Sequence, residues 1–174
     1  MSKVYMIGDL HLGHDKILHF SPMRGGTTTE EHDKWIIDQW NSVVTKRDTV
    51  WVLGDVAFSA EALLKVGQLK GNKILVRGNH DRQDTKDYMK YFSQIYGIIK
   101  KNGFWLSHAP VHPYELRGKR NIHGHCHQNS ILVDKLIDDT LDDRYINVSV
   151  ENCNGIPVLF DSIIERFKND TQTK

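Results

Sequence analysis

Five short stretches of the chain set carboxylate, amide and imidazole side chains in turn-like contexts. They are Gly8-Asp9-Leu10-His11, Gly54-Asp55, Gly78-Asn79-His80-Asp81, Ser107-His108 and Gly124-His125-Cys126-His127. Oxygen and nitrogen donors in that mixture suit two divalent ions sharing an oxygen bridge, and the chemistry such a pair performs is hydrolysis of phosphate esters. Asp9 and His11 stand two apart, as do His125 and His127. On extended segments each pair would point one way and reach into one cavity. Asp55 follows Gly54 at the end of an apolar run, where its two oxygens could touch two ions at once, making it the candidate bridge. Asn79 offers a neutral oxygen, which limits the negative charge of the site so that the ions still polarise a water. The expected nucleophile is a hydroxide bridging the ions.

Such donors need strand ends and loops to hold them. Val4-Tyr5-Met6-Ile7, Thr49-Val50-Trp51-Val52-Leu53 and Lys73-Ile74-Leu75-Val76 are β-branched and aliphatic runs, each soon followed by glycine and a polar cluster. They read as buried strands with ligands at their C-terminal ends. Thr28 and Glu31 have capping-box spacing ahead of Ile36, Trp40, Val43 and Val44, which predicts an amphipathic helix. Ser59 would cap a shorter helix carrying Leu63, Leu64 and Val66, completing two strand-helix-strand units whose function gathers at strand ends. The second half offers short extended runs at Gln94 to Lys100, Phe104 to Ser107, Asn121 to His123, Tyr145 to Val150 and Pro157 to Phe160, for which hairpin-like pairing is expected. Asp161 to Phe167 reads as a last helix. The expected fold is α/β (α+β): two facing β-sheets flanked by helices, with all ligands along one edge. Residues 1–170 are expected to form a single domain and 171–174 a frayed tail.

A net charge of +1, with acidic and basic residues interspersed, argues against a strong grip on duplex nucleic acid. Met1 to Tyr5 lead into a strand pattern without an apolar signal core, and no run approaches the roughly 20 residues of a membrane span. A cytoplasmic protein is expected, with Cys126 and Cys153 reduced.

The order D-x-H, GD, GNHD, H and GHxH resembles the calcineurin-like metallophosphoesterase superfamily. Gly8-Asp9-Leu10-His11-Leu12-Gly13-His14 and Asn147-Val148-Ser149-Val150-Glu151 look like the small cap-less bacterial and phage members. The resemblance implies a four-layer αββα sandwich and a metal-dependent phosphoric ester hydrolase. It implies one metal held by Asp9, His11, Asp55 and His127, and a second by Asp55, Asn79, His108 and His125. The two would lie about 3.5–4 Å apart. His80 is left for catalysis, protonating the leaving alkoxide or steadying charge on the phosphoryl group, with Asp81 as its orienting partner. Manganese is the metal favoured by analogy, and iron, zinc, nickel and cobalt also suit the donors. Serine/threonine phosphatases of the superfamily follow the second motif with Asp-Arg-Gly and carry Glu after Asn-His. The present Asp55-Val56-Ala57 and Asp81 disfavour that activity.

Substrate contacts are sought at the rims. His14 recurs in the subgroup's opening and is expected to touch substrate or the neighbours of the ligands. Arg24 could approach from one rim. On the loop Pro110 to Arg120, which joins two ligand segments, Arg117, Lys119 and Arg120 could contact phosphate and Tyr114 stack on a base, a solvated basic loop being the plainer alternative. His19, His32 and His112 read as solvent or loop histidines. With no cap domain over the site, the expected substrate is a small nucleotide-like phosphodiester. The alternatives are a phosphomonoesterase on nucleotides or sugar phosphates and, from another class, a structural zinc or metal-sensing module on His123, His125, Cys126 and His127. The latter would leave the carboxylates and amide unused. No residue pattern fixes an oligomeric state.

Overall fold

The computed structural model describes residues 1–134 and 139–170, so the tail expected at 171–174 lies outside the described residues. Strands β1 (Val4–Ile7), β2 (Thr49–Val52), β3 (Asn72–Val76) and β4 (Gln94–Tyr96) run parallel in one sheet, and β9 (Val158–Leu159) joins β1 antiparallel. Tyr5, Ile7, Val50, Val52 and Leu75 pack with Ile36 and Trp40 of helix α2 (Thr29–Val43) and with Ala62 and Leu63 of α3 (Ala60–Leu64). Met6, Trp51, Ile74 and Val76 join a separate core with residues of the second sheet. Burial on both faces explains why these strands read as continuous apolar runs.

Local chemistry sets the helix starts. The Thr28 hydroxyl accepts the Glu31 amide at 3.2 Å, while Glu31 turns back to the Thr27 amide at 2.8 Å, so the box closes one residue earlier than its spacing implies. Ser59 accepts the Ala62 amide at 3.0 Å. Leu64, expected on the apolar face, is 63% exposed, because α3 gives way to a 3-10 turn at Lys65–Gln68 that brings Val66 inward instead.

The second sheet has the order β5 (Ile98–Lys101), β6 (Phe104–Ser107), β7 (Arg120–His123) and β8 (Tyr145–Asn147). Hairpin pairing holds only for β5 and β6; β6 with β7 and β7 with β8 are parallel. The intervening Ala109 to Lys119 carries the chain back as a crossover, with a short helix at Pro113–Leu116 that buries Leu116. Gly97 divides the run expected at 94–100: residues before it stay in the first sheet and residues after it open the second. The run expected at 145–150 stops at Asn147, whose Oδ1 accepts the Ser149 amide at 3.0 Å, and Val150 begins a short helix, Val150–Cys153. The last helix, α7 (Phe160–Asp170), sends Phe160, Ile163 and Phe167 into the same core as the inner faces of the sheets.

The result is an α/β sandwich of two mixed sheets flanked by helices. Gly8, just past β1, stitches the sheets together: its amide donates to the Val148 carbonyl at 2.9 Å, and its carbonyl accepts the Val150 amide at 3.1 Å. Among the described residues no helix is long and apolar enough to cross a membrane.

Candidate metal centre

Asp9 and His11 follow β1, Asp55 follows β2, Asn79 and His80 follow β3, His108 follows β6, and His125 and His127 follow β7. Donor atoms of Asp9, His11 and His127 lie within 4.8 Å of one another, and so do those of Asp55, His108 and His125. Asn79 Oδ1 is 2.8 Å from His108 Nε2. Asp55 Oδ2 is 3.7 Å from His11 Nε2 and 3.4 Å from His108 Nε2, so one carboxylate oxygen faces both groups.

His11 tests whether ions fit. Both its ring nitrogens are buried without a hydrogen-bond partner, while Asp9 Oδ1 stands 3.8 Å from Nε2. Separations of this size exceed a hydrogen bond and suit donors shared by one ion. An imidazole left unpaired in the interior is costly, and an ion at Nε2 would relieve that nitrogen's share of the cost. The mixed nitrogen and oxygen donors fit divalent transition metals.

The backbone differs from the extended segments expected for the two i, i+2 pairs. Asp9 (φ 61), His11 (φ 52), Asp55 (φ 54), His125 (φ 67) and His127 (φ 49) are all left-handed. Their turns curl around the site, so Asp9 and His11 converge on one donor group, whereas His125 and His127, expected to reach into one cavity, part between the two groups. Glycine allows the crowding: a Cβ on Gly78 would collide with the Asp55 carboxylate, and one on Gly124 with that of Asp9. The His125 amide donates to both Asp9 oxygens, at 3.0 and 2.8 Å, and the His80 amide donates to Asp55 Oδ1 at 2.9 Å. His108 Nδ1 donates to the Leu53 carbonyl at 2.8 Å, which leaves Nε2 aimed at the Asp55 group.

Burial opposes charge on Asp55, but His108 and the His80 amide outweigh it and hold the carboxyl at about 2. Burial likewise opposes charge on His108, yet Asp55 and Asp9 lift that imidazole to about 9. Burial lowers His11 despite Asp9, and burial with the neighbouring His108 lowers His125, favouring the neutral ligand form.

The remaining expected site residues divide. His80 is half-buried with its ring stacked on Phe58 at 5.0 Å, and His14 meets Phe58 at 4.1 Å. Both line a cavity of about 390 Å³ with His11, Phe20, Phe58 and His127. Asp81 does not orient His80. Its oxygens accept the amides of Asp55 (3.0 Å), Val56 (2.8 Å) and Gly78 (2.8 Å), so it braces the Asp55 turn. Arg24 is not at a rim: it is 3% exposed and spends its guanidinium on Glu151, Leu10 and Asp9. Arg117 is exposed, pairs with Glu115 at 3.2 Å, and lines neither cavity that meets the donor groups. Arg120 instead lies over the Phe167 ring at 4.0 Å. His32 is fully buried between Arg24 and Asp33 rather than solvated. His123 and Cys126 join neither donor group among the described residues, which leaves the zinc-module reading without its ligands.

Sequence reasoning missed Glu151, Ser21 and Phe58. Glu151 accepts His127 Nδ1 at 2.9 Å, fixing Nε2 toward Asp9 and His11. Its only sequence signal was its place at the end of Asn147 to Glu151.

The family model for calcineurin-like phosphoesterases matches residues 2–157. An uncharacterized protein of Methanocaldococcus jannaschii, MJ1445, is 34% identical over 172 residues, covering 95% of this chain and 91% of its own. The gene 66 protein of Mycobacterium phage D29 is 36% identical, over 75% of this chain and 81% of its own. The crystal structure of AQ665 from Aquifex aeolicus, a protein of unknown function, matches with a TM-score of 0.72 and 27% identity, covering 95% of this chain and 99% of that one. With every residue of both donor groups inside the matched span, the chain belongs to the calcineurin-like phosphoesterase family, metal-dependent hydrolases of phosphoric esters.

Proposed function

We propose that the chain hydrolyses a small, nucleotide-like phosphodiester, using two divalent ions of which manganese is the preferred one. The supporting observation is that each donor group opens onto its own cavity. The one of about 390 Å³ meets His11 and His127; another, of about 630 Å³, meets Asn79, His108 and His125 and is walled by Ile98, Pro110 and Val111. A phosphorus seated between them has room for a substituent on each side, as a diester requires. The first cavity is lined by the rings of His14, Phe20 and Phe58 and by Gln128 and Asn129, with no lysine or arginine among its lining residues. That wall suits a flat, uncharged group such as a base.

In this reading Asp9, His11, Asp55 and His127 would hold one ion, and Asp55, Asn79, His108 and His125 the other. When bound, the ions supply an acidified water as the attacking group and neutralise the phosphate oxygens. His80, with its amide tied to Asp55 and its ring against Phe58, gives a proton to the leaving oxygen or a hydrogen bond to the phosphoryl group.

The test is hydrolysis of bis(4-nitrophenyl) phosphate and 4-nitrophenyl phosphate side by side with manganese. The diester should be preferred by at least about tenfold in kcat/KM, and Asp55→Asn should abolish both activities. His80→Ala should lower kcat by about 10²–10⁴ with little change in KM. Preference for the monoester would overturn the diester assignment in favour of a phosphomonoesterase.

A further inference from the structure

Each donor group is braced by a buried carboxylate outside it. Asp81 serves the Asp55 turn. Glu151 serves the other group through more demanding chemistry. Its Oε1 alone collects the Ser21 hydroxyl at 2.8 Å, Arg24 Nε at 2.8 Å, Arg24 Nη2 at 2.7 Å and His127 Nδ1 at 2.9 Å, while Oε2 is buried with no partner. The Arg24 and Glu151 side chains are both 0% exposed. The same guanidinium reaches onward, Nη1 to the Leu10 carbonyl at 3.2 Å and Nη2 to the Asp9 carbonyl at 2.9 Å. One ion pair thus grips the imidazole of His127 and the backbone carbonyls of Asp9 and Leu10.

We infer that Glu151, paired with Arg24, is a positioning residue that sets the affinity of the Asp9, His11 and His127 site for its ion, acting on that site more strongly than on the second. The inference rests on the two-ion reading above. With Nδ1 of His127 bound to a carboxylate, the Nε2 lone pair is fixed and made more basic; without it the ring is free to change tautomer and turn. Loss of the carboxylate also leaves Arg24 as an unpaired interior charge, and its two carbonyl contacts brace Asp9 and Leu10 beside the backbone bonds of Asp9 and His11 to the Gly54-Asp55 segment. Among the described residues, no hydrogen bond of Glu151 or Arg24 reaches Asp55, Asn79, His108 or His125. The second site, linked to the first through Asp55 and the His125 amide on Asp9, should therefore feel the change less.

The experiment is calorimetric titration of the metal-free full chain with manganese. Wild type should bind two ions. Glu151→Gln should weaken one of them by about 10–100-fold and the other by clearly less, and Glu151→Asp, which keeps the charge beside Arg24 but withdraws it from His127, should do the same. In a His127→Ala background, where the site is already crippled, Glu151→Gln should add nothing to the binding of the remaining ion. Thermal unfolding of the metal-free variants separates site loosening from loss of fold, and the Asp variant serves if the Gln variant does not fold. Equal weakening of both ions, or of neither, would overturn the inference while two ions in wild type leave the two-ion reading standing. Fewer than two ions in wild type would overturn that reading and the inference with it.

Discussion

Asp9, His11, Asp55, His125 and His127 hold a backbone conformation that costs of order 1–3 kcal/mol per residue, and they hold it where donors must converge. Glycine next to the donors makes the convergence sterically feasible. Gly124→Ala should push a methyl group into the Asp9 carboxylate, so manganese affinity should fall by at least about tenfold, as for other changes beside a ligand; unchanged affinity by equilibrium dialysis would contradict that geometry. Arg24→Ala should cost about 3–5 kcal/mol in urea unfolding, because it takes the guanidinium from the buried Glu151 carboxylate. The residues that gather in the two candidate donor groups were legible in the sequence, since their types and order carry the chemistry. Arg24 was misread because an arginine in a Pro- and Gly-bearing loop looks solvent-facing. Its partner lies 127 residues away, a separation that leaves no local period to detect.

Helix α2 is joined to its surroundings through Asp33. That carboxylate accepts the Gly13 amide at 3.0 Å, Lys65 Nζ at 2.6 Å and His32 Nδ1 at 3.1 Å. Burial works to raise its pKa, but His32, Lys65 and the Gly13 amide prevail and hold it below the usual carboxylate range. A pKa depressed in the folded state adds stability above the unfolded value of about 3.9, and that stability is lost as pH falls below it. Asp33→Asn should therefore cost about 1.5–3 kcal/mol at pH 7, the loss of hydrogen bonds to a charged group. The difference from wild type should shrink toward pH 3, as read from urea midpoints; a constant difference would contradict the account. Helix starts were legible through Thr28 and Ser59, whose caps are local. The pairing of β6 with β7 was not, because Phe104 to Ser107 and Asn121 to His123 carry the same short apolar pattern whether the link between them is a hairpin or a crossover.

Over the whole molecule, the parallel pairing of β6 and β7 is what lets the site exist. An antiparallel pair would have set His108 and His125 at opposite ends; the parallel register Phe104 with Arg120 through Leu106 with Ile122 carries both to the edge where β1, β2 and β3 also end. The Gly8 bridge to the segment after β8 then closes one sheet's edge against the other. Ions bound at that seam would hold both sheets, so removing them with a chelator should lower Tm reversibly, by the equivalent of about 2.7 kcal/mol when metal had stood at a hundred times its Kd. An unchanged Tm in a differential scan would mean that the folded chain holds no ion in preference to the unfolded one. The central claim is that two ions share Asp55, and anomalous diffraction from crystals grown with manganese tests it most directly. Two peaks about 3.5–4 Å apart, flanking Asp55 Oδ2, are predicted. A single peak, or metal held by His123 and Cys126 away from Asp55, would contradict the account.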